Sequence, residues 1–170
     1  MLTAVTTYAL DGITPRPVTV EVDLRRGLPA FTIVGLGDRA VREARERVQA
    51  AIGNSGWTFP QQRVTVNLAP ADLRKEGPGF DLAIACGLLA ATGEVPADTL
   101  AGTAVFGELA LSGDLRPCRG VLAVAEGAME HGRKVGWTEM QPYDLAVVGC
   151  VAVTRPRAIS QSSTLTRIES

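Results

Sequence analysis

The 170-residue chain holds one histidine, His131. A Ser-His-Asp hydrolase would hang on that single residue, and a metal centre built from it with Cys118 or Cys150 has no ligand spacing in its favour. His131 reads instead as a surface residue near the end of a helix. Cysteine is scarce too: Cys86, Cys118 and Cys150 are far apart, form no C-x-x-C pair and are odd in number. That count speaks against a disulfide framework and for a reducing, cytoplasmic setting. Charges and glycines interrupt every apolar segment, so no run of about 18 to 20 apolar residues exists to cross a membrane. The start, MLTAVTTYALDG, lacks the basic and apolar regions of a secretory signal. Neither sign of charge dominates: seventeen Lys and Arg face eighteen Asp and Glu, a formal net charge of -1. Bulk attraction to nucleic acid is not indicated, which leaves room only for a local basic patch.

What is present is the make-up of one globular domain, 46% hydrophobic and 21% charged, long enough to bury a core without metal or disulfide. Thr3 to Leu10 is β-rich and ends at an Asp11-Gly12 turn. Val18, Val20, Val22 and Leu24 alternate onto one strand face, and FTIVGL returns as a third strand, so the opening predicts a meander. Asp38 is placed to cap a helix running to Gly53, with Val41, Ala44, Val48 and Ala51 or Ile52 as its buried stripe. On the other side, Arg39 with Glu43, Arg42 with Glu46 and Glu43 with Arg47 are spaced as i,i+4 surface pairs.

RVTVNLA, beginning at Arg63, predicts the next strand, and a uniformly apolar helix follows from about Phe80 to Thr92. GEVPADTLAG reads as a loop, TAVFGELAL from Thr103 as a strand, SGD as a tight turn and LRPCRG as a return strand ending at Pro117. A third helix is expected over Arg119 to His131 and a last strand over Asp144 to Val153. The Ser/Thr-rich stretch 158–170 has a disordered composition. No internal repeat or interdomain linker appears. Strands and helices alternate imperfectly, the mark of a mixed α/β (α+β) sandwich with helices packed on a mixed sheet.

Between the fourth strand and the apolar helix lies RKEGPGFD, two cations and two carboxylates around a Gly-Pro-Gly turn. It is not a Walker A loop, because its Lys precedes the glycines and no Ser or Thr follows. GLGDRAV, from Gly35, opens a helix as a dinucleotide loop would but lacks the third glycine, and Asp38 would repel a phosphate there. Asp72, Glu76 and Asp81 have no partner geometry legible in sequence; Asp81 is placed to favour the amino end of the following helix.

Three long segments in order carry a family resemblance: GLPAFTIVGLGDRAVREARERVQAAIGNSG, FPQQRVTVNLAPADLRKEGPGFDLAIACGLLAATGEVP and FGELALSGDLRPCRGVLA. Together they closely resemble the amino-terminal domain of the ComM/YifB group of magnesium-chelatase-like AAA+ proteins, over Met1 to Gly132. The resemblance implies a Lon-protease-type fold of the superfamily shared with a ribosomal-protein domain and the GHMP kinases. It divides the chain into that domain over 1–132, an atypical continuation over 133–157 and the tail 158–170. After HGRK the relatives continue toward P-x-x-N-A-x-E-A and a further helix, a pattern absent here. Complete members are much longer, so the resemblance makes this chain a fragment, an isolated domain or a truncated product.

In complete members the domain precedes an ATPase module, and ComM members are DNA helicases that promote branch migration in natural transformation. ATP and magnesium are expected only in that module, with no cofactor in this chain and no tetrapyrrole chemistry. Active Lon-type proteases place a Ser in K-D-G-P-S-A-G and a Lys at the end of G-E-x-x-L-x-G-x-V-x-P-x-G-G-L-K. KEGPGFD puts Gly79 at the first position, and GELALSGDLRPCRGVL puts Leu122 at the second. A Ser-Lys dyad needs both members, so a peptidase is not expected, and Ser112 has no base. The expectation is a noncatalytic accessory or assembly domain that meets its own ATPase module or neighbouring subunits. The alternatives are a DNA-contacting module, with Arg63, Arg74 and Lys75 as the cationic candidates, or a truncated protein without activity.

Overall fold

The computed structural model describes residues 1–133. Two long strands open the chain, β1 (Leu2–Asp11) and β2 (Thr14–Arg25), joined by the Gly12 turn and paired antiparallel from Leu2↔Asp23 to Asp11↔Thr14. The alternation read in β2 holds: Val18, Val20, Val22 and Leu24 are buried, while Thr19 and Arg25 face outward.

The third strand departs from a meander. β3 (Ala30–Val34) does not pair with β2; α1 (Arg39–Asn54) carries the chain over, and β4 (Arg63–Ala69) inserts between them in the order β1-β2-β4-β3. β4 runs antiparallel to β2 and parallel to β3. A parallel pair needs a crossover too long for a hairpin, and α1 supplies it. The stripe of α1 is the one its spacing predicts, with Val41, Ala44, Val48, Ala51 and Ile52 buried, and Asp38 caps it by accepting from the Val41 amide at 2.8 Å.

α2 (Asp81–Thr92) follows a 3-10 turn at Pro78–Phe80 and is buried on nearly its whole circumference. It lies against β1 and β2 on one side and α1 on the other, which is why it shows no polar face. The main core runs through this layer, including Val20, Val22, Val66, Ile84 and Leu88.

The expected strand from Thr103 is mostly absent. Residues 104–106 lie along the free edge of β1, where Val105 N–H donates to Thr6 at 2.8 Å, but only β5 (Glu108–Leu109) and β6 (Leu115–Arg116) form a ladder, across the SGD turn. The interruption is at Gly107. Its N–H donates to the Gly79 carbonyl at 2.8 Å and its C=O accepts from Leu82 at 3.1 Å, so it serves the start of α2 rather than a sheet. An additional 3-10 turn, Ala97–Leu100, lies within the expected loop.

α3 (Val121–Glu130) packs on β1 and β2 in a second small core of Tyr8, Ala104, Phe106, Val124, Ala125 and Ala128. Tyr8 donates to the Gly127 carbonyl at 3.2 Å. The whole is a mixed α/β sandwich built on a mixed sheet. No helix among the described residues is long and apolar enough to cross a membrane. The expected last strand, Asp144 to Val153, and the tail 158–170 lie outside the described residues.

Candidate functional site

The Gly-Pro-Gly loop folds back on the entrance to α1. Lys75 N–H donates to the Leu36 carbonyl at 3.2 Å, and its own carbonyl accepts from Asp38 N–H at 2.9 Å. Asp38 completes the clasp: one carboxylate oxygen caps α1 and the other accepts from Gly77 N–H at 3.1 Å. The two glycine-bearing segments singled out in the sequence are therefore one structural unit, joined through a carboxylate that accepts from one amide in the first turn of α1 and one in the loop. Gly35 is required where this unit meets the sheet. Its φ is 107°, and a Cβ there would come within 2.2 Å of the Leu68 carbonyl oxygen.

Gly79 sits at the position that the protease resemblance assigns to a nucleophile, and no side chain fits there. A Cβ would lie 2.3 Å from the Phe106 ring. Leu122, at the position of the base, is exposed on α3. Phe106 occupies the space a serine would need, and an aliphatic side chain stands where an amine would be required.

Lys75 is corrected as a contact residue. It is fully buried and its ammonium donates to the Pro70 carbonyl, so it is not offered to a phosphate. Desolvation lowers its pKa from the ordinary lysine value, partly opposed by the Asp72 charge. Arg74 is exposed and pairs with Glu76 at 2.7 Å. Arg63 is exposed at the opposite end of β4, so the structure does not bring the three cations together. It sets Arg63 directly across from Arg25, with Arg26 exposed beside them. Like charges facing across a ladder oppose each other; Arg25 is partly balanced by Asp23 at 2.5 Å. Arg25 and Arg26 escape a sequence reading because only the β2–β4 register reveals their proximity to Arg63.

The helix pairs also need correction. Arg39 meets Glu43 at 2.6 Å as its spacing predicts. Arg42 instead donates to the Gly37 carbonyl at 2.9 Å. Arg47 turns inward and grips both oxygens of Asp81, at 2.6 and 2.9 Å. Asp81 is fully buried and also accepts from Leu109 N–H at 3.3 Å. It is thus a tie between α1, α2 and β5 as well as an acid in the first turn of its own helix. Burial pushes its pKa up, against the opposing pull of Arg47. Held by Arg47 from one side and by the Leu109 amide from another, this pair has the geometry of a structural bond.

The thiols are equally inert. Desolvation pushes Cys86 up to about 12 and Cys118 up to about 11, although each is partly exposed. The thiol rather than the reactive thiolate prevails at neutral pH. Cys150 lies outside the described residues. His131 places Nδ1 2.6 Å from the Gly127 carbonyl and its ring 5.8 Å from that of Tyr8, a helix-end contact.

The profile of the family described as subunit ChlI of Mg-chelatase matches residues 20–136. The chain is 48% identical over 134 residues to the Escherichia coli K12 protein YifB, covering 79% of this chain and 26% of YifB. It is 44% identical to the competence protein ComM of Haemophilus influenzae, with the same coverage of both chains. An uncharacterized protein of Mycobacterium tuberculosis H37Rv is 41% identical over 124 residues, 73% of this chain and 25% of that protein. The chain thus spans about a quarter of the length of these relatives.

Proposed function

The chain belongs to the family of the Mg-chelatase subunit ChlI, with ComM- and YifB-like relatives, and on that premise we propose that it is a noncatalytic assembly domain of a magnesium-chelatase-like AAA+ ATPase. The observation that carries the reading is the site at Gly79. The turn is kept and tightly clasped, yet Phe106 fills the room of a nucleophile and Leu122 stands exposed at the position of its base. A clasped frame with neither member of a reacting pair at these two positions is suited to holding other parts of a machine. Its loops would meet the ATPase module or a neighbouring subunit, in a protein whose task, as the name of the competence protein ComM suggests, lies in competence. ATP and magnesium belong to that module, and the work of the whole is DNA remodelling in recombination, in the cytoplasm.

Deleting the matching domain from a full-length relative tests this. ATP turnover should then require a higher protein concentration to reach the parental rate, because assembly is weakened while the ATP site remains. Unchanged concentration dependence would contradict the proposal.

A second reading, DNA contact, draws on the basic end of the sheet. Arg25, Arg26 and Arg63 are exposed together there, and Arg74 extends a cation from the far loop. Phosphate contacts release counterions, so affinity falls with salt. Replacing Arg25 and Arg63 together by Ala should flatten the log–log salt slope by about 2, roughly one per lost contact. Equal, negligible binding by the original and the variant would remove this reading.

A further inference from the structure

We propose that Leu36 is a docking knob: with the guanidinium of Arg42 beside it, it engages an apolar socket edged by a carboxylate on the ATPase module. Leu36 is placed against both of the forces that usually decide where a leucine goes. Its φ is 55°, and among the described residues it is the one residue other than glycine in the left-handed region. There the Cβ of an L-residue crowds the following carbonyl, a strain that glycine avoids. Burial does not offset it. Leu36 is 57% exposed and belongs to neither core cluster.

The conformation is imposed by the clasp. Lys75 N–H donates to the Leu36 carbonyl at 3.2 Å and the Lys75 carbonyl accepts from Asp38 N–H at 2.9 Å, so two backbone bonds straddle the turn. The Asp38 carboxylate then ties the Val41 and Gly77 amides to it. On either side of Leu36 there is no room for a side chain: a Cβ at Gly35 would come within 2.2 Å of the Leu68 carbonyl oxygen, and one at Gly37 within 2.6 Å of the Val41 side chain. The turn therefore carries a single side chain, and it is an exposed one. Glycine at position 36 would suit the backbone better and would remove nothing from the core. What leucine adds is an apolar group held out on a fixed base, with Val34, 45% exposed, two residues before it. Strain that the surrounding structure over-determines collects at functional sites, and an anchor already fixed in place loses little freedom on binding.

The charges around the turn select the partner. Three exposed arginines lie there, Arg39 and Arg42 at the start of α1 and Arg74 next to Lys75. Arg39 is matched by Glu43 at 2.6 Å and Arg74 by Glu76 at 2.7 Å. Both oxygens of Asp38 are taken by amides, and the exposed Asp72 acts on the buried Lys75. Arg42 forms no ion pair among the described residues; its guanidinium sits on the Gly37 carbonyl at 2.9 Å, one residue from Leu36. An apolar knob beside one uncompensated cation fits a protein surface with an apolar socket and a carboxylate at its rim. A phosphate backbone would take Arg42 and leave Leu36 in water. The knob rests on the assembly role proposed above and supplies the contact through which that role would act.

Titration of the fluorophore-labelled full chain with Escherichia coli YifB lacking its matching domain, in the presence of ATP, tests it by anisotropy. Saturable binding is expected. Leu36→Gly and Arg42→Glu should each weaken it by at least about tenfold, while Arg63→Glu, at the opposite end of β4, should leave it unchanged. Leu36→Gly should also unfold at a temperature no lower than the original, because release of the left-handed strain opposes the loss of partial contact; a leucine with a merely structural role would lower it. No binding by the original chain, binding indifferent to Leu36→Gly, or a fall in unfolding temperature alongside the lost binding would overturn the proposal. Loss on Arg42→Glu alone would overturn it in favour of a purely ionic contact. The concentration dependence of ATP turnover in the domain-deleted relative decides the assembly role separately, so that role can stand where the knob fails.

Discussion

At Gly79 the absence of a Cβ is what lets the Phe106 ring pack against the turn. Serine there would drive its Cβ into Phe106, and overpacking of a filled core costs typically about 1–3 kcal/mol. Gly79→Ser is expected to lose stability of that order in urea unfolding and to gain no peptide hydrolysis. Combined with Phe106→Ala it should lose less than the sum of the two single changes, because the clash is shared. Lys75 gives a second residue-scale outcome. Its folded pKa is lowered, so the neutral amine is favoured by folding; that stability is fully present above the unfolded value of 10.5 and lost as pH falls through the folded value. The unfolding free energy of the protein should therefore rise relative to Lys75→Met as pH climbs from neutral toward 10.5. A pH-independent difference would refute the assignment. The sequence places Lys75 correctly in the loop but cannot show its direction, which is set by the contact with Leu36 and the turn toward Pro70.

Between elements, the strongest polar tie is Arg47 to Asp81, linking α1 to α2. Removing one member of a buried pair leaves the other uncompensated, at a cost of about 3–5 kcal/mol. Arg47→Met should show such a loss at neutral pH in chemical unfolding. The loss should shrink at acid pH: a carboxyl with a raised folded pKa contributes stability below its unfolded value of 3.8 and loses it as pH rises through the folded value. Restoring an apolar match with Asp81→Leu should recover part of the stability. Element identity was legible where periodicity was strong, as in β2, α1 and α2. It failed where long-range partners overrode local pattern. Arg47 has good spacing to Glu43, but Asp81 lies closer to its reach across the helix interface; Gly107 interrupts an apolar run because the start of α2 uses its amide and carbonyl. The parallel β3–β4 pair was hidden for a related reason: three successive strand-like stretches specify strands, not their spatial order.

For the whole molecule, the proposed assembly role rests on the clasped loop and the filled nucleophile position. The motifs that carry the family resemblance were visible in the sequence. The role of the shell was less so, because Phe106 lies 27 residues beyond Gly79 in sequence and meets it only in the fold. The most direct measurement is the particle mass, with ATP bound, of the Escherichia coli relative in three forms: intact, lacking its matching domain, and with that domain replaced by residues 1–133 of this chain. The account predicts that deletion lowers the number of protomers in the particle and that the replacement restores the intact number. Assembly to the intact protomer number without any such domain would contradict it.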